Sequence, residues 1–124
     1  MTHRLPSVHK ADVCCPDQEL LARLHADLGS AALGAILAQG LTESGERLDA
    51  CRQALERGDT ATAAREAHTL AGLQRSIGLP ALGEAFAALE QQLTRGDRPA
   101  GDDLDELASA LVQAHAAARD GLPR

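Results

Sequence analysis

The sequence has almost no aromatic residues: Trp and Tyr are absent, and Phe86 is the single Phe among 124 residues. β-Branched aliphatic residues are also scarce, since Val and Ile together number five, whereas Ala numbers 25 and Leu 20. Strands favour β-branched and aromatic side chains on their pleated surfaces, whereas Ala and Leu are strong helix formers. The composition therefore argues against an extensive sheet and predicts an all-α domain.

Lysine is nearly absent too, with one Lys beside eleven Arg and a formal net charge of −6. No basic tract exists that could neutralise a run of phosphates, so we expect no nucleic-acid partner. The longest apolar run, Ala31 to Ala38, falls short of the roughly 20 residues that span a bilayer. The first ten residues lack the apolar core of a secretion signal. We therefore expect a cytoplasmic protein with no membrane span.

Cysteine is rare and unevenly placed, with Cys14 and Cys15 adjacent and the third at position 51. Neighbouring cysteines are poorly placed to form a structural disulfide. His3 and His9 could join this pair around a metal ion, but the paired spacing of zinc sites is missing. We expect no metal site.

Along the chain, residues 1–15 lack periodicity and are interpreted as a flexible lead-in, 16–120 as a helical bundle and 121–124 as a tail. Turn and capping signals divide the bundle. Short loops between amphipathic helices predict an antiparallel up-down four-helix bundle with a short additional N-terminal helix. The predicted helices cover about 17–28, 30–57, 61–77, 80–95 and the region from about 103 onward.

Each predicted helix has one apolar stripe with the three- and four-residue spacing of a buried face. Asp17 is a predicted N-cap, the turn Gly58-Asp59-Thr60 contains a cap for the next helix, and Pro80 suits the first turn of its helix. Ser44 interrupts the second stripe and could bond its own backbone. The predicted core residues are Leu20, Leu21, Leu24 and Leu28; Leu33, Leu37, Leu41, Leu48, Cys51 and Leu55; Leu82, Phe86, Leu89 and Leu93; and Leu104, Leu107, Leu111 and Ala118.

His68 does not fit the core of its helix. The apolar residues of that helix, Leu70, Leu73 and Ile77, cluster about 170° away from it at 100° per residue. His68 therefore points into water or into a groove beside a neighbouring helix. A solvated surface histidine is the alternative interpretation, whereas His25 and His115 are expected to be structural or solvated.

The residues around His68 favour a chemical role. Gly72 lies one turn further on the same face, where a mid-helix glycine costs about 1 kcal/mol and usually serves packing or access. Ala64, one turn before, is also small. Arg75 falls within about 20° of the same line and could reach an anion near His68. An exposed imidazole beside a bare surface and a cation suits a nucleophile that carries a phosphoryl group.

The segment Ala67-His68-Thr69-Leu70-Ala71-Gly72, followed by Ser76-Ile77-Gly78, resembles the signature of histidine-containing phosphotransfer (HPt) domains. The turn 55–59 and the helix 79–90, which ends in Leu89-Glu90, resemble the flanking segments of that family. The resemblance covers about residues 16 to 118.

The resemblance implies a phosphorelay intermediate without its own catalytic machinery. His68 would accept phosphate from the aspartate of a receiver domain and pass it to another receiver, with Gly72 as the access glycine and Glu90 as the polar neighbour from the next helix. The expected partners are response-regulator receivers and a hybrid sensor histidine kinase. They are expected to dock on the groove around His68 between the predicted helices 30–57 and 61–77. Mg²⁺ is expected on the receiver only, with no cofactor on this chain. A monomer is favoured, and the excess of Arg over Lys points to a GC-rich bacterial genome.

One position departs from the family pattern. Ala71 stands where the family usually has Lys, which steadies the phosphoryl group, so Arg75 is expected to compensate. The alternative is a non-catalytic module that docks receivers with impaired phosphotransfer. A helical bundle with an unrelated role is a third interpretation, in which His68→Gln would change neither binding nor relay output.

Overall fold

The computed structural model describes residues 2–3 and 15–122, and within this part of the chain it is an all-α bundle. A two-residue pairing of parallel strands, β1 with β2, accompanies the helices. It was not predicted, because strands this short and this far apart in sequence leave no periodic signal. The predicted lead-in lies mostly outside the described residues. The elements are β1 (Thr2–His3), α1 (Gln18–Glu56), α2 (Thr60–Ser76), α3 (Pro80–Thr94), β2 (Arg98–Pro99) and α4 (Gly101–Asp120).

Helices α1, α2 and α3 begin within about one residue of their predicted starts, whereas α4 begins at Gly101 rather than at about 103 and has no side-chain cap. Asp17 Oδ1 accepts a hydrogen bond of 3.1 Å from the Leu20 amide, and Asp59 Oδ1 accepts one of 3.0 Å from the Thr62 amide. Pro80 occupies the first turn of α3, where its missing N–H costs nothing. These starts fix the register of each helix, and with it the face on which each later side chain lies.

The predicted boundary at Gly29 is present as a break inside α1. Gly29 has φ 82° and ψ 165°, outside the helical region, so the residues before and after it follow different helical axes. Leu28, predicted to face the core, is instead 45% exposed. Of the leucines predicted to be core in the segment before Gly29, only Leu21 is fully buried, because this segment covers only one corner of the bundle.

Leu21 docks the start of α1 onto the turn between α2 and α3. The Asp17 amide donates to the Gly78 carbonyl at 2.8 Å. Gly78 has φ 89°, and a Cβ added there would lie 3.0 Å from the Leu21 side chain. Only glycine therefore satisfies both the backbone conformation and the packing at this turn.

The core consists mainly of the predicted stripes of α1, α3 and α4, in which Leu41 is only partly buried. Phe86 lies at 0% exposure and is the largest fully buried side chain. Cys51 is also at 0% exposure, and its thiol donates to the Ala63 carbonyl across the contact between α1 and α2 at 3.6 Å. α2 packs most extensively on α3, whereas α1 packs on both α2 and α4.

A polar chain crosses this core and joins three helices. The Gln74 amide donates to Ser44 Oγ at 2.8 Å, and Gln74 Oε1 lies 2.9 Å from His115 Nε2. Ser44 therefore bonds across the bundle rather than to its own backbone. His115 is 3% exposed, and its Nδ1 has no hydrogen-bond partner in the described part of the chain. Burial lowers the pKa of His115 below its ordinary 6.5, an effect that the Leu37 backbone partly opposes.

We expect the bundle to lose stability as the pH falls below about 6.5. A histidine whose pKa is lowered in the folded state stays neutral there while the unfolded chain takes up a proton. The stability that neutral His115 contributes is therefore fully present above the pKa that this histidine has in the unfolded chain. Below that pKa, the free energy of unfolding declines by at most about 1.4 kcal/mol per pH unit. Urea titrations from pH 7.5 to 5 measure this slope, and His115→Gln should flatten it. Equal slopes in both proteins would contradict the assignment to His115.

By length and composition, α1 also meets the usual criterion for a helix that could cross a membrane. The longest uninterrupted apolar run does not indicate this helix. The mean hydropathy over 18 residues does, because it stays high where Gly, Ser or Gln interrupts the apolar residues. Only 17% of that window is buried in the bundle, and Ile36 is 39% exposed. Core helices of soluble proteins pass the same test, so the criterion alone does not identify a membrane span.

Candidate functional site

His68 lies in the middle of α2 with its side chain 75% exposed, as the helical periodicity predicts. The buried face of α2 includes Ala67, Leu70 and Gln74. Gly72 is exposed, and a Cβ added to it would meet no heavy atom within 4 Å. The imidazole therefore lies on an accessible surface, with no side chain on the next turn to obstruct it.

Glu90 of α3 fixes the orientation of the imidazole. His68 Nδ1 is 3.0 Å from Glu90 Oε1 and 3.1 Å from Oε2. A carboxylate only accepts hydrogen bonds, so Nδ1 carries the proton and donates it. The lone pair of Nε2, on the far side of the ring, is left as the free nucleophilic position.

Two cavities flank the pair formed by His68 and Glu90. The larger has a volume of about 670 Å³ and an apolar floor that includes Ala64 and Leu93. The smaller has a volume of about 500 Å³ and reaches Arg95 at the end of α3. The larger is lined by Thr60, Ala61, Ala64, Arg65, His68, Thr69, Glu90, Leu93 and Thr94, and the smaller by His68, Ala87, Glu90, Gln91, Thr94 and Arg95.

These linings correct the sequence-based position of the partner groove. The expected partner groove lies between the predicted helices 30–57 and 61–77, whereas the cavities lie between α2 and α3. His68 lies on the flank of α2 that faces α3. A helical wheel places a residue relative to the core, but it does not say which neighbouring helix lies on each flank.

The structure does not bring Arg75 and Ala71 into these cavities. Ala71 is 2% exposed, and its carbonyl would lie 3.0 Å from a Cβ added at Gly83 of α3. The same Cβ would come within 2.7 Å of Arg75 Cγ, so the stem of Arg75 covers Gly83. Arg75 lines neither cavity beside His68. The arginine expected to compensate for the missing Lys therefore packs against α3 instead.

Arg65 lies in the larger cavity and was missed by the sequence analysis. One of its Nη atoms donates to Thr62 Oγ1 at 3.0 Å, and that hydroxyl donates to Asp59 Oδ2 at 2.6 Å. The two hydrogen bonds from Thr62 lower the pKa of Asp59. Arg65 precedes His68 by three residues, a spacing that places side chains on neighbouring positions of a helix. That spacing was the signal available in the sequence.

The other titratable candidates lie elsewhere. His25 Nε2 pairs with Ser30 Oγ at 2.7 Å on the surface of α1, and His115 is buried. Within the described ranges, no group of three or more His, Cys, Asp or Glu side chains could hold a metal ion. His9 and Cys14, considered above as metal ligands, lie outside those ranges.

Of the comparisons with known proteins, one identifies a family, and the matched range includes His68. A family model described as Hpt domain matches residues 35–121, which include α2, α3 and α4 and most of α1. The segment 16–34, included in the resemblance above, lies outside this match. No curated protein and no solved structure matches.

Proposed function

This chain belongs to the Hpt domain family, and from that premise we propose that it carries phosphate between receiver domains of a two-component phosphorelay. Hpt domains are phosphotransfer modules of two-component signalling. The observation that carries the proposal is the exposed His68, whose Nδ1 is held by Glu90 at 3.0 Å. This arrangement leaves Nε2 free on a surface that a second domain can approach.

In the proposed transfer, the lone pair of His68 Nε2 attacks the phosphorus of an aspartyl phosphate. The Nε2–P bond forms, the P–O bond to the aspartate breaks, and the aspartate leaves as a carboxylate on the receiver. The ring then bears a proton on Nδ1 and the phosphoryl group on Nε2, so it carries a positive charge. The Glu90 carboxylate stabilises that charge. Transfer to the next receiver reverses these steps.

The chain supplies the nucleophile and its orientation but no further catalytic group. The receiver is proposed to contribute the Mg²⁺ and acidic pocket that stabilise the transferring phosphoryl group. A phosphoryl carrier of this kind needs no cofactor of its own. We place it in the cytoplasm, because response-regulator receivers and a hybrid sensor kinase are its proposed partners. We propose a monomer, because one bundle can bury the apolar stripes of its helices.

The proposed bundle is antiparallel and up-down, with the segment before Gly29 as the additional N-terminal helix. Arg52, near the end of α1, pairs with Asp105, near the start of α4, at 2.9 Å. Thr60 at the start of α2 and Thr94 at the end of α3 line one cavity. Both contacts support alternating helix directions, which bring His68 opposite Glu90.

Labelled phosphate from a charged receiver domain tests the proposal. Wild-type protein should take up an acid-labile, alkali-stable label that maps to His68, and His68→Gln should take up none. His25→Gln is a matched control, since this histidine lies on α1 outside both cavities, and it should be labelled like the wild type.

Label on His68→Gln equal to that on the wild type would contradict the proposal. If no receiver in a broad panel transfers label but binding is retained, the docking module without phosphotransfer would replace it. Binding and relay output unchanged in His68→Gln, with no label on the wild type, would favour the unrelated helical bundle.

A further inference from the structure

A phosphoryl group on His68 would enter a site that already holds a carboxylate. Glu90 lies within 3.1 Å of His68 Nδ1, and the family's usual Lys is replaced by Ala71. A phosphoryl group adds roughly two negative charges. The site therefore needs a cation from another position to hold the phosphorylated state.

Arg65 is the one arginine or lysine among the residues that line the larger cavity. Its position three residues before His68 keeps both side chains on one face of α2. Besides Arg65, the lining offers an anion the hydroxyls of Thr60, Thr69 and Thr94, which carry no charge, and the apolar side chains of Ala61, Ala64 and Leu93. A charge-assisted hydrogen bond from a guanidinium to a phosphoryl oxygen is stronger there than one between neutral groups.

The guanidinium of Arg65 is held in place by the cap of α2. Thr62 Oγ1 accepts a hydrogen bond from the guanidinium at 3.0 Å and donates one to Asp59 Oδ2 at 2.6 Å. An arginine has five N–H donors, so this anchor leaves others for a phosphoryl group. An anchored side chain loses less conformational freedom when it binds, which favours the interaction.

The other arginines near the site are less suited to this role. Arg75 packs over Gly83 and lines neither cavity. Arg95 lines the smaller cavity, but its Nε lies 3.6 Å from the Asp97 carboxylate, which partly neutralises it. Among the described ion pairs, Arg47, Arg52 and Arg95 each contact a carboxylate directly. Arg65 meets the Asp59 carboxylate only through Thr62, although the two charges still interact.

We propose that Arg65, anchored through Thr62 to Asp59, binds the phosphoryl group on His68 Nε2. It supplies the positive charge that Lys at position 71 would bring in other family members. This inference rests on the proposed function, since it requires His68 to be phosphorylated. It assigns the role to the turn before His68, whereas the sequence analysis placed it on the turn after Gly72.

Phosphoramidate, a small phosphoryl donor, allows a test without a receiver. The ³¹P NMR signal of phosphohistidine is assigned to His68 by its absence in His68→Gln, and its chemical shift is followed against pH. A neighbouring cation favours the dianionic phosphoryl group. Arg65→Gln should therefore raise the titration midpoint of that group by about one pH unit. Arg65→Lys, which keeps the charge, should lie closer to the wild type.

Arg75→Gln and Arg95→Gln are the matched controls, and both should titrate like the wild type. A midpoint unchanged in Arg65→Gln, or raised equally in either control, would overturn the assignment while phosphorylation of His68 stands. No phosphohistidine at His68 in the wild type would overturn the proposed function, and the assignment with it. Circular dichroism confirms that each variant is folded, as expected for exposed arginines.

Discussion

Replacing Gly72 with Gln is expected to stabilise the protein and to disable it. A glycine inside a helix costs about 1 kcal/mol relative to a good helix former, so the free energy of unfolding should rise by about that amount. The added side chain meets no steric obstacle, because a Cβ at Gly72 has no heavy atom within 4 Å. That open space is where a receiver would have to approach His68.

Displacing the receiver by about 1 Å can cost a hundredfold in rate, so transfer from a charged receiver should fall by about that factor. Rapid-quench labelling of Gly72→Gln measures the rate, and urea titration measures the stability. Phosphorylation by phosphoramidate should change little, because a small donor needs less room.

Gly34→Gln is the matched control for this prediction. Gly34 is also inside a helix, a Cβ there would also meet nothing within 4 Å, and it lines neither cavity. It should gain similar stability and transfer phosphate at the wild-type rate. A Gly72→Gln protein that accepts phosphate from the receiver as fast as the wild type would show that this surface is not the path of approach.

Replacing Phe86 with Ala is expected to remove much of the stability of the bundle. Truncating a buried Phe to Ala typically costs about 3–5 kcal/mol, through lost burial and the cavity that remains. Phe86 is 0% exposed, and the chain has no other aromatic side chain that could fill the space. Domains are stable by only about 5–15 kcal/mol, so the variant should lie close to the unfolding threshold.

Helical circular dichroism against urea measures this loss, since the chain has no Trp or Tyr for fluorescence. Val112→Ala is the control, because Val112 is 56% exposed on α4. Its free energy of unfolding should change by at most about 0.5 kcal/mol. Equal losses in the two variants would contradict the central place of Phe86 in the core.

Much of the fold follows from local signals in the sequence. Asp17 and Asp59 start helices because their carboxylates accept hydrogen bonds from amides that the helix leaves unpaired. Pro80 suits a first turn because it has no N–H to leave unpaired. The exposure of His68 follows from the angle between it and the apolar stripe. These predictions succeeded because each depends on residues within two turns of one helix.

The composition of the site depends on contacts between helices, and there the sequence was less informative. Glu90 was identified by resemblance, and its contact with His68 could not be obtained from either helix alone. Arg75 has nearly the same angular position as His68, yet its stem turns toward Gly83, where the missing side chain leaves room. Arg65 was not identified from the sequence, although it lies three residues before His68. Its position beside the site depends on the hydrogen bond to Thr62, and this side-chain conformation has no signal in the sequence.

The burial of polar residues was also not predicted from the sequence. Gln74 is fully buried but reads as a surface residue in a helical pattern, because its partners Ser44 and His115 belong to other helices. A polar side chain is tolerated in the core when its hydrogen bonds are satisfied there. Whether those hydrogen bonds form depends on how several helices pack together, so the sequence of one helix does not show it.

The thiol of Cys51 can report when the contact between α1 and α2 opens. Burial, together with the nearby Glu66 carboxylate, raises the pKa of Cys51 to about 11, so very little reactive thiolate is present at neutral pH. Cys15, in contrast, is exposed to solvent. An alkylating reagent can therefore reach Cys51 only in those moments when α1 separates from the helix that carries His68. The slow phase of alkylation thus measures how often the contact between α1 and α2 opens, without any residue being substituted.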